Sequence, residues 1–121
     1  MAGHNSSFLK LVDEARSRIQ EIDAAQMPAI LEANPTARLI DTREQDEYRT
    51  GHLRGAIWLG KGIIERDIAE HASDLDEPLY LYCGGGFRSA LAANNLRKMG
   101  YRNAISVDGG WRELKDLLPT E

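Results

Sequence analysis

Cysteine is almost missing: the 121 residues contain one, Cys83. One thiol cannot close a disulfide within the chain. Histidine is also scarce, at positions 4, 52 and 71. With a lone thiol these form no closely spaced Cys/His set of the kind that holds zinc. Basic charge is not in excess. The chain has 15 Lys and Arg against 19 Asp and Glu, a net charge of −4, which offers no bulk attraction to nucleic acid. No apolar run approaches the roughly 20 residues that cross a bilayer, so no membrane partner is expected. The opening MAGHNSSFLK lacks a basic stretch followed by an apolar one, so no secretory signal is expected there. A single thiol with no export signal makes the reducing cytoplasm the expected setting. Repeats, low-complexity tracts and linkers are absent.

What is present suits one globular domain with a real core: 42% hydrophobic and 28% charged residues. Phe8, Leu11, Val12, Ala15, Ile19 and Ile22 recur at helical spacing, which predicts an amphipathic helix over residues 7–20. Asp23 and Gln26 have capping-box spacing, and Ile22 and Met27 flank them as a hydrophobic staple would. A helix is predicted over 24–33, ended by Asn34-Pro35. Strands are predicted at 38–41, 56–59, 79–83 and 103–107. Helices are predicted at 44–50, 63–72, 89–99 and 111–118, with Leu91, Leu96 and Met99 pointing inward. This alternation predicts an α/β fold, a parallel sheet with helices on both faces.

The most informative stretch is LYLYCGGGFRS, residues 79–89. The thiol ends a strand, and in open α/β sheets ligands collect at the carboxyl ends of strands. Gly84, Gly85 and Gly86 permit a tight turn that aims several N–H groups at one spot. A helix N-terminus and Arg88 add positive charge there. The loop is therefore read as holding an anion at, or on, the sulfur. A buried structural cysteine beside an ordinary turn is the plainer alternative. Cysteine phosphatases use C-x5-R, wide enough for a tetrahedral phosphate. Here the spacing is Cys83-GGGF-Arg88, one residue shorter, which suits one extra sulfur atom better than a phosphoryl group.

Three motifs in order resemble a single-domain rhodanese, a family of sulfurtransferases. They are CGGGFRS, LIDTREQDEYRTGHLRGAIWL (39–59) and SVDGGWREL (106–114), and the likeness covers about residues 21–118. It implies a rhodanese-like parallel sheet of about five strands over residues 21–121, with residues 1–20 as an appended helix. It implies that Cys83 attacks the outer sulfur of a small anionic donor such as thiosulfate and becomes a persulfide. A thiol or cyanide then accepts the sulfur, or a protein acceptor takes it from a persulfide carrier. Gly84, Gly85, Gly86, Phe87, Arg88 and Ser89 would bind the donor through loop N–H groups and the guanidinium. No metal or organic cofactor is implied. Arg54 stands where the family usually has proline, and Gly84 where some relatives carry a basic residue.

Other residues have two readings each. Arg43, on the same sheet edge as Cys83, is a candidate anion contact or the structural partner of Asp41. His52 is a candidate proton carrier or a loop hydrogen-bonding group. Phe87 is a candidate wall of the substrate entrance. Trp58 and Trp111 read as core or cleft wall, and Glu44, Asp46 and Glu47 as a solvated helix face. The competing functions are a cysteine-based phosphatase or arsenate reductase, and a non-catalytic binding module, which would be expected to lack the loop cysteine.

Overall fold

The computed structural model describes residues 4–121, so the start of the 1–20 segment lies outside the described residues. Helix α1 spans Ser6–Arg16, and the Asn5 side chain caps it by accepting from the Phe8 N–H at 2.8 Å. The apolar spacing predicts helix up to residue 20, but Gln20–Asp23 is instead a strand, β1. Its residues are mostly exposed at the sheet edge, so no apolar alternation marks it; it forms because its backbone pairs with a neighbouring strand.

Asp23 then opens a 3-10 turn over Ala24–Gln26 that leads into α2, Met27–Ala33. The capping box is present, with the Asp23 N–H donating to Gln26 Oε1 at 2.9 Å. The remaining elements are β2 (Arg38–Asp41), α3 (Gln45–Thr50), β3 (Ile57–Trp58), α4 (Ile64–Asp67), β4 (Leu79–Tyr82), α5 (Phe87–Lys98), β5 (Ala104–Asp108) and α6 (Gly110–Leu114). A 3-10 turn over Ile68–Glu70 continues α4.

The five strands form one parallel sheet in the order β1-β5-β4-β2-β3. Alternation along β4 divides the core. Leu79 and Leu81 point to one face, with Ile64, Ile68, Ala92, Ala93 and Leu96 of the helical layer there. Tyr80 and Tyr82 point to the other, with Met27, Leu53 and Leu114. Helices thus cover both faces, as expected for a parallel sheet.

Helix α1 adds a further layer. Its buried Val12 and Ala15 pack on Ala90 and Leu91 of α5. Caught between the sheet and α1, α5 buries seven residues, among them Ser89 and Asn94, and three are alanines that allow close approach. Met99, predicted to point inward, is instead exposed, because it lies at the C-cap beyond the packed turns.

Candidate active site

Cys83 directly follows β4, at the carboxyl edge of the sheet. The Thr42 N–H donates to the Tyr82 carbonyl there at 2.9 Å, which aligns the ends of β2 and β4. The thiol is 1% exposed. Its Sγ accepts from the Gly86 N–H at 3.1 Å. Gly86 has φ +114°, a conformation that favours glycine, and serves as the N-cap of α5. The helix therefore starts at Phe87, two residues before the apolar pattern suggests. Phe87 and Arg88 join Ser89 in its first turn rather than lying in the loop.

The turn between β5 and α6 braces the loop from behind. Trp111 N–H donates to the Cys83 carbonyl at 2.7 Å, Arg112 N–H to that of Gly84 at 3.2 Å, and Gly109 N–H to that of Gly85 at 3.2 Å. The loop carbonyls are thus engaged by α6. The N–H groups of Gly84, Gly85, Phe87, Arg88 and Ser89 have no acceptor among the described residues. The Ser89 hydroxyl is paired with that of Ser106 at 2.9 Å, so Ser89 offers the site its backbone only. Gly110 enables the brace. With φ +51° it lies so close that a Cβ there would meet the Cys83 carbonyl oxygen, and Gly84 C at 2.9 Å.

Arg88 reaches across to α3. Its Nη1 donates to Glu47 Oε1 at 2.7 Å and its Nη2 to Oε2 at 3.3 Å. A Cβ at Gly84 would lie 3.2 Å from Nη2, so the guanidinium stands over the loop. Hydrogen bonding to Glu47 strengthens the hold of Arg88 on its charge, and burial opposes it less. The same pair holds Glu47 below the usual carboxylate range. Glu47 is therefore not simply part of a solvated face. It also closes the α3 capping box by accepting from the Glu44 N–H.

Arg43 is 4% exposed, and its Nε and Nη2 are both engaged. It donates to both oxygens of Asp41 and to the Gly51 carbonyl, and its guanidinium lies 4.6 Å from the Trp111 ring centre. The Trp58 indole N–H donates to the Arg43 carbonyl at 2.8 Å. Arg43 lines a shallow hollow with Glu47 and Trp111, not the concavity at Cys83. His52 stacks on Tyr48, with Nδ1 2.9 Å from the Tyr48 carbonyl and Nε2 3.5 Å from Glu121. It too is absent from the Cys83 concavity. Arg54 is exposed and lines a different hollow with Arg38, at the start of β2.

The concavity over the thiol measures about 390 Å³. Cys83, Gly84, Gly85, Phe87 and Arg88 line it, joined by Arg112 and by His4 and Phe8 of the N-terminal segment. The structure thus brings together most of the loop residues singled out from sequence. It adds Glu47, Arg112, His4 and Phe8. No local signal marked these four, except that Arg112 follows the Gly-Gly-Trp segment.

Comparison with known proteins agrees with this arrangement. The Rhodanese-like domain family model matches residues 23–117. The thiosulfate sulfurtransferase GlpE of Shewanella oneidensis is 29% identical over 100 residues, covering 80% of this chain and 96% of its own length. YrkF of Bacillus subtilis is 30% identical over 100 residues, 83% of this chain, and the chain spans only 53% of YrkF. In structure, RPA3614 of Rhodopseudomonas palustris, described as a protein of unknown function and possible tyrosine phosphatase, aligns with a TM-score of 0.81 at 26% identity. It covers 100% of this chain and 99% of its own. A parallel five-stranded sheet, a braced cysteine loop at its carboxyl edge and a family match over most of the length lead to one conclusion: the chain belongs to the rhodanese-like domain family.

Proposed function

We propose that this chain is a sulfurtransferase that carries sulfane sulfur on Cys83. The observation that carries the reading is the set of loop N–H groups without acceptors among the described residues, in the loop whose thiol is already hydrogen-bonded by Gly86. Such donors suit a terminal sulfur anion and the charge that develops as it transfers. Cys83 as thiolate attacks the outer sulfur of a donor such as thiosulfate. A sulfur–sulfur bond forms on Sγ, the donor's sulfur–sulfur bond breaks, and sulfite leaves with the electron pair. Arg88 draws in the anionic donor, with Glu47 orienting its fork. A thiol, cyanide or protein thiol then takes the sulfur. Covalent chemistry on sulfur needs no further group. The reading places the chemistry in residues 21–121, with α1 added to it, and the protein in the cytoplasm.

The phosphatase description of RPA3614 motivates the second reading. Four residues between Cys83 and Arg88, rather than five, count against a phosphoryl group. Incubation with thiosulfate is expected to add about 32 Da, one sulfur atom, to the intact protein. Cyanide should remove it and Cys83→Ser should never gain it. Cys83-dependent phosphate release from an aryl phosphate, with no sulfur uptake, would overturn the reading.

A further inference from the structure

The site has a wall that the family match does not include. Residues 23–117 match, yet His4 and Phe8 line the concavity over Cys83. The His4 ring lies 4.7 Å from Phe87 and 5.1 Å from Phe8, and the two phenyl rings are 6.1 Å apart. Arg16 sits over the Phe87 ring, 5.0 Å from its centre, does not line the concavity, and is committed to Glu21 and Asp108. The cluster is thus held by contacts beyond the concavity, and its three rings line it.

Arg112 lines the same concavity. Its guanidinium makes no ion pair or hydrogen bond among the described residues, whereas Arg88 is held by Glu47. A Cβ at Gly85 would lie 3.7 Å from its Nη1, so it overhangs the loop. A concavity of about 390 Å³ is in the range that suits an organic ligand and exceeds the needs of a small inorganic anion.

Building on the sulfurtransferase reading, we propose that the site takes as its sulfur acceptor an organic thiol with an aromatic body and a carboxylate. The body rests on His4, Phe8 and Phe87, and the carboxylate pairs with Arg112. The Cys83 persulfide anion takes up a proton from water, and the acceptor thiolate then attacks its outer sulfur. A new sulfur–sulfur bond forms on the acceptor, and the bond to Sγ breaks. The electron pair returns to Sγ as thiolate, and the proton stays on the transferred sulfur. No external oxidant or reductant takes part. Phe8 and Arg112 are then specificity-determining residues, and α1 is a working part of the site.

The test uses phenylacetate, which has the body and charge but no thiol. It should slow alkylation of Cys83 by iodoacetamide, while acetate at the same concentration should not. Arg112→Gln and Phe8→Ala should each weaken the protection about tenfold. In the persulfide-loaded protein, the same variants should lower the ratio of kcat/KM for 4-mercaptobenzoate over that for cyanide. Equal protection by acetate and phenylacetate, or protection indifferent to both variants, overturns the proposal. Sulfur uptake from thiosulfate is measured on the same preparation. Uptake without phenylacetate protection defeats the acceptor site and leaves the sulfurtransferase reading standing. Protection without uptake from any sulfur donor defeats that reading, and the acceptor role falls with it.

Discussion

Arg88 of α5 and Glu47 of α3 meet fork to fork, with Nη1 to Oε1 at 2.7 Å and Nη2 to Oε2 at 3.3 Å. The carboxylate fixes the plane of the guanidinium above the cysteine loop. It also offsets part of the charge that an anionic donor would meet. Geometry and charge pull in opposite directions at this pair, which makes it a useful target.

Arg88→Ala is expected to lower kcat/KM for thiosulfate by about tenfold or more, the value of a lost charged hydrogen bond. Arg88→Lys should recover only part, because an ammonium cannot match both oxygens of Glu47. Steady-state kinetics of the three proteins check this. Equal rates would make the arginine idle.

The Glu47 carboxyl is held below its ordinary value of 4.5, first by its hydrogen bond to Arg88. A depressed folded-state value means that this contribution to stability is full above the unfolded-state value. It is lost as the pH falls through the lower folded-state value. Stability measured by urea unfolding should therefore decline below about pH 4.5, and Glu47→Gln should make the decline shallower. An unchanged slope in the variant would show that the pair is unlinked to folding.

Gly110→Ala is expected to open the brace behind the loop. Its Cβ would press on the Cys83 carbonyl and sit 2.9 Å from Gly84 C, where no backbone can yield without moving the thiol. A loss of about 2 kcal/mol or more is expected, with sulfur uptake falling further than stability accounts for. Urea unfolding and intact mass on the same sample separate the two effects.

Asp41 is fully buried beneath Arg43 and accepts from its backbone N–H as well as its guanidinium. Asp41→Ala leaves a buried cation facing the Gly51 carbonyl and the rings of Trp111 and Tyr82, with no bonded carboxylate. A cost of about 3 kcal/mol is expected, as for other broken buried pairs. Denaturant midpoints check it, and a neutral result would remove Asp41 from the framework.

Removal of residues 1–17 is expected to uncover Ala90 and Leu91 and to leave β1 in place. Loss of the burial of Val12 and its neighbours should cost about 3 kcal/mol. The association state, measured by sedimentation, should not change. A switch from dimer to monomer would assign α1 to an intersubunit contact instead.

The features legible in the sequence are those written in neighbouring residues. Leu79 and Leu81 alternate with Tyr80 and Tyr82, so β4 announces itself through two apolar faces. Gly100, with φ +106°, stops α5 where the pattern places its end. The thiol's position after an apolar run and before three glycines placed it at the carboxyl edge, because a parallel strand followed by a helix must turn there. Tertiary structure alone decided the rest. Gln20–Asp23 became a strand because β5 left a backbone edge to pair, and an edge strand half in water needs no apolar pattern. Phe87 and Arg88 joined the helix because Gly86 could take a positive φ as its cap. Glu47 of α3, Arg112 of α6, Phe8 of α1 and His4 just before α1 all came to the site from elsewhere in the chain. Pairing between such distant residues depends on how layers pack, and side-chain type and local spacing carry no record of that.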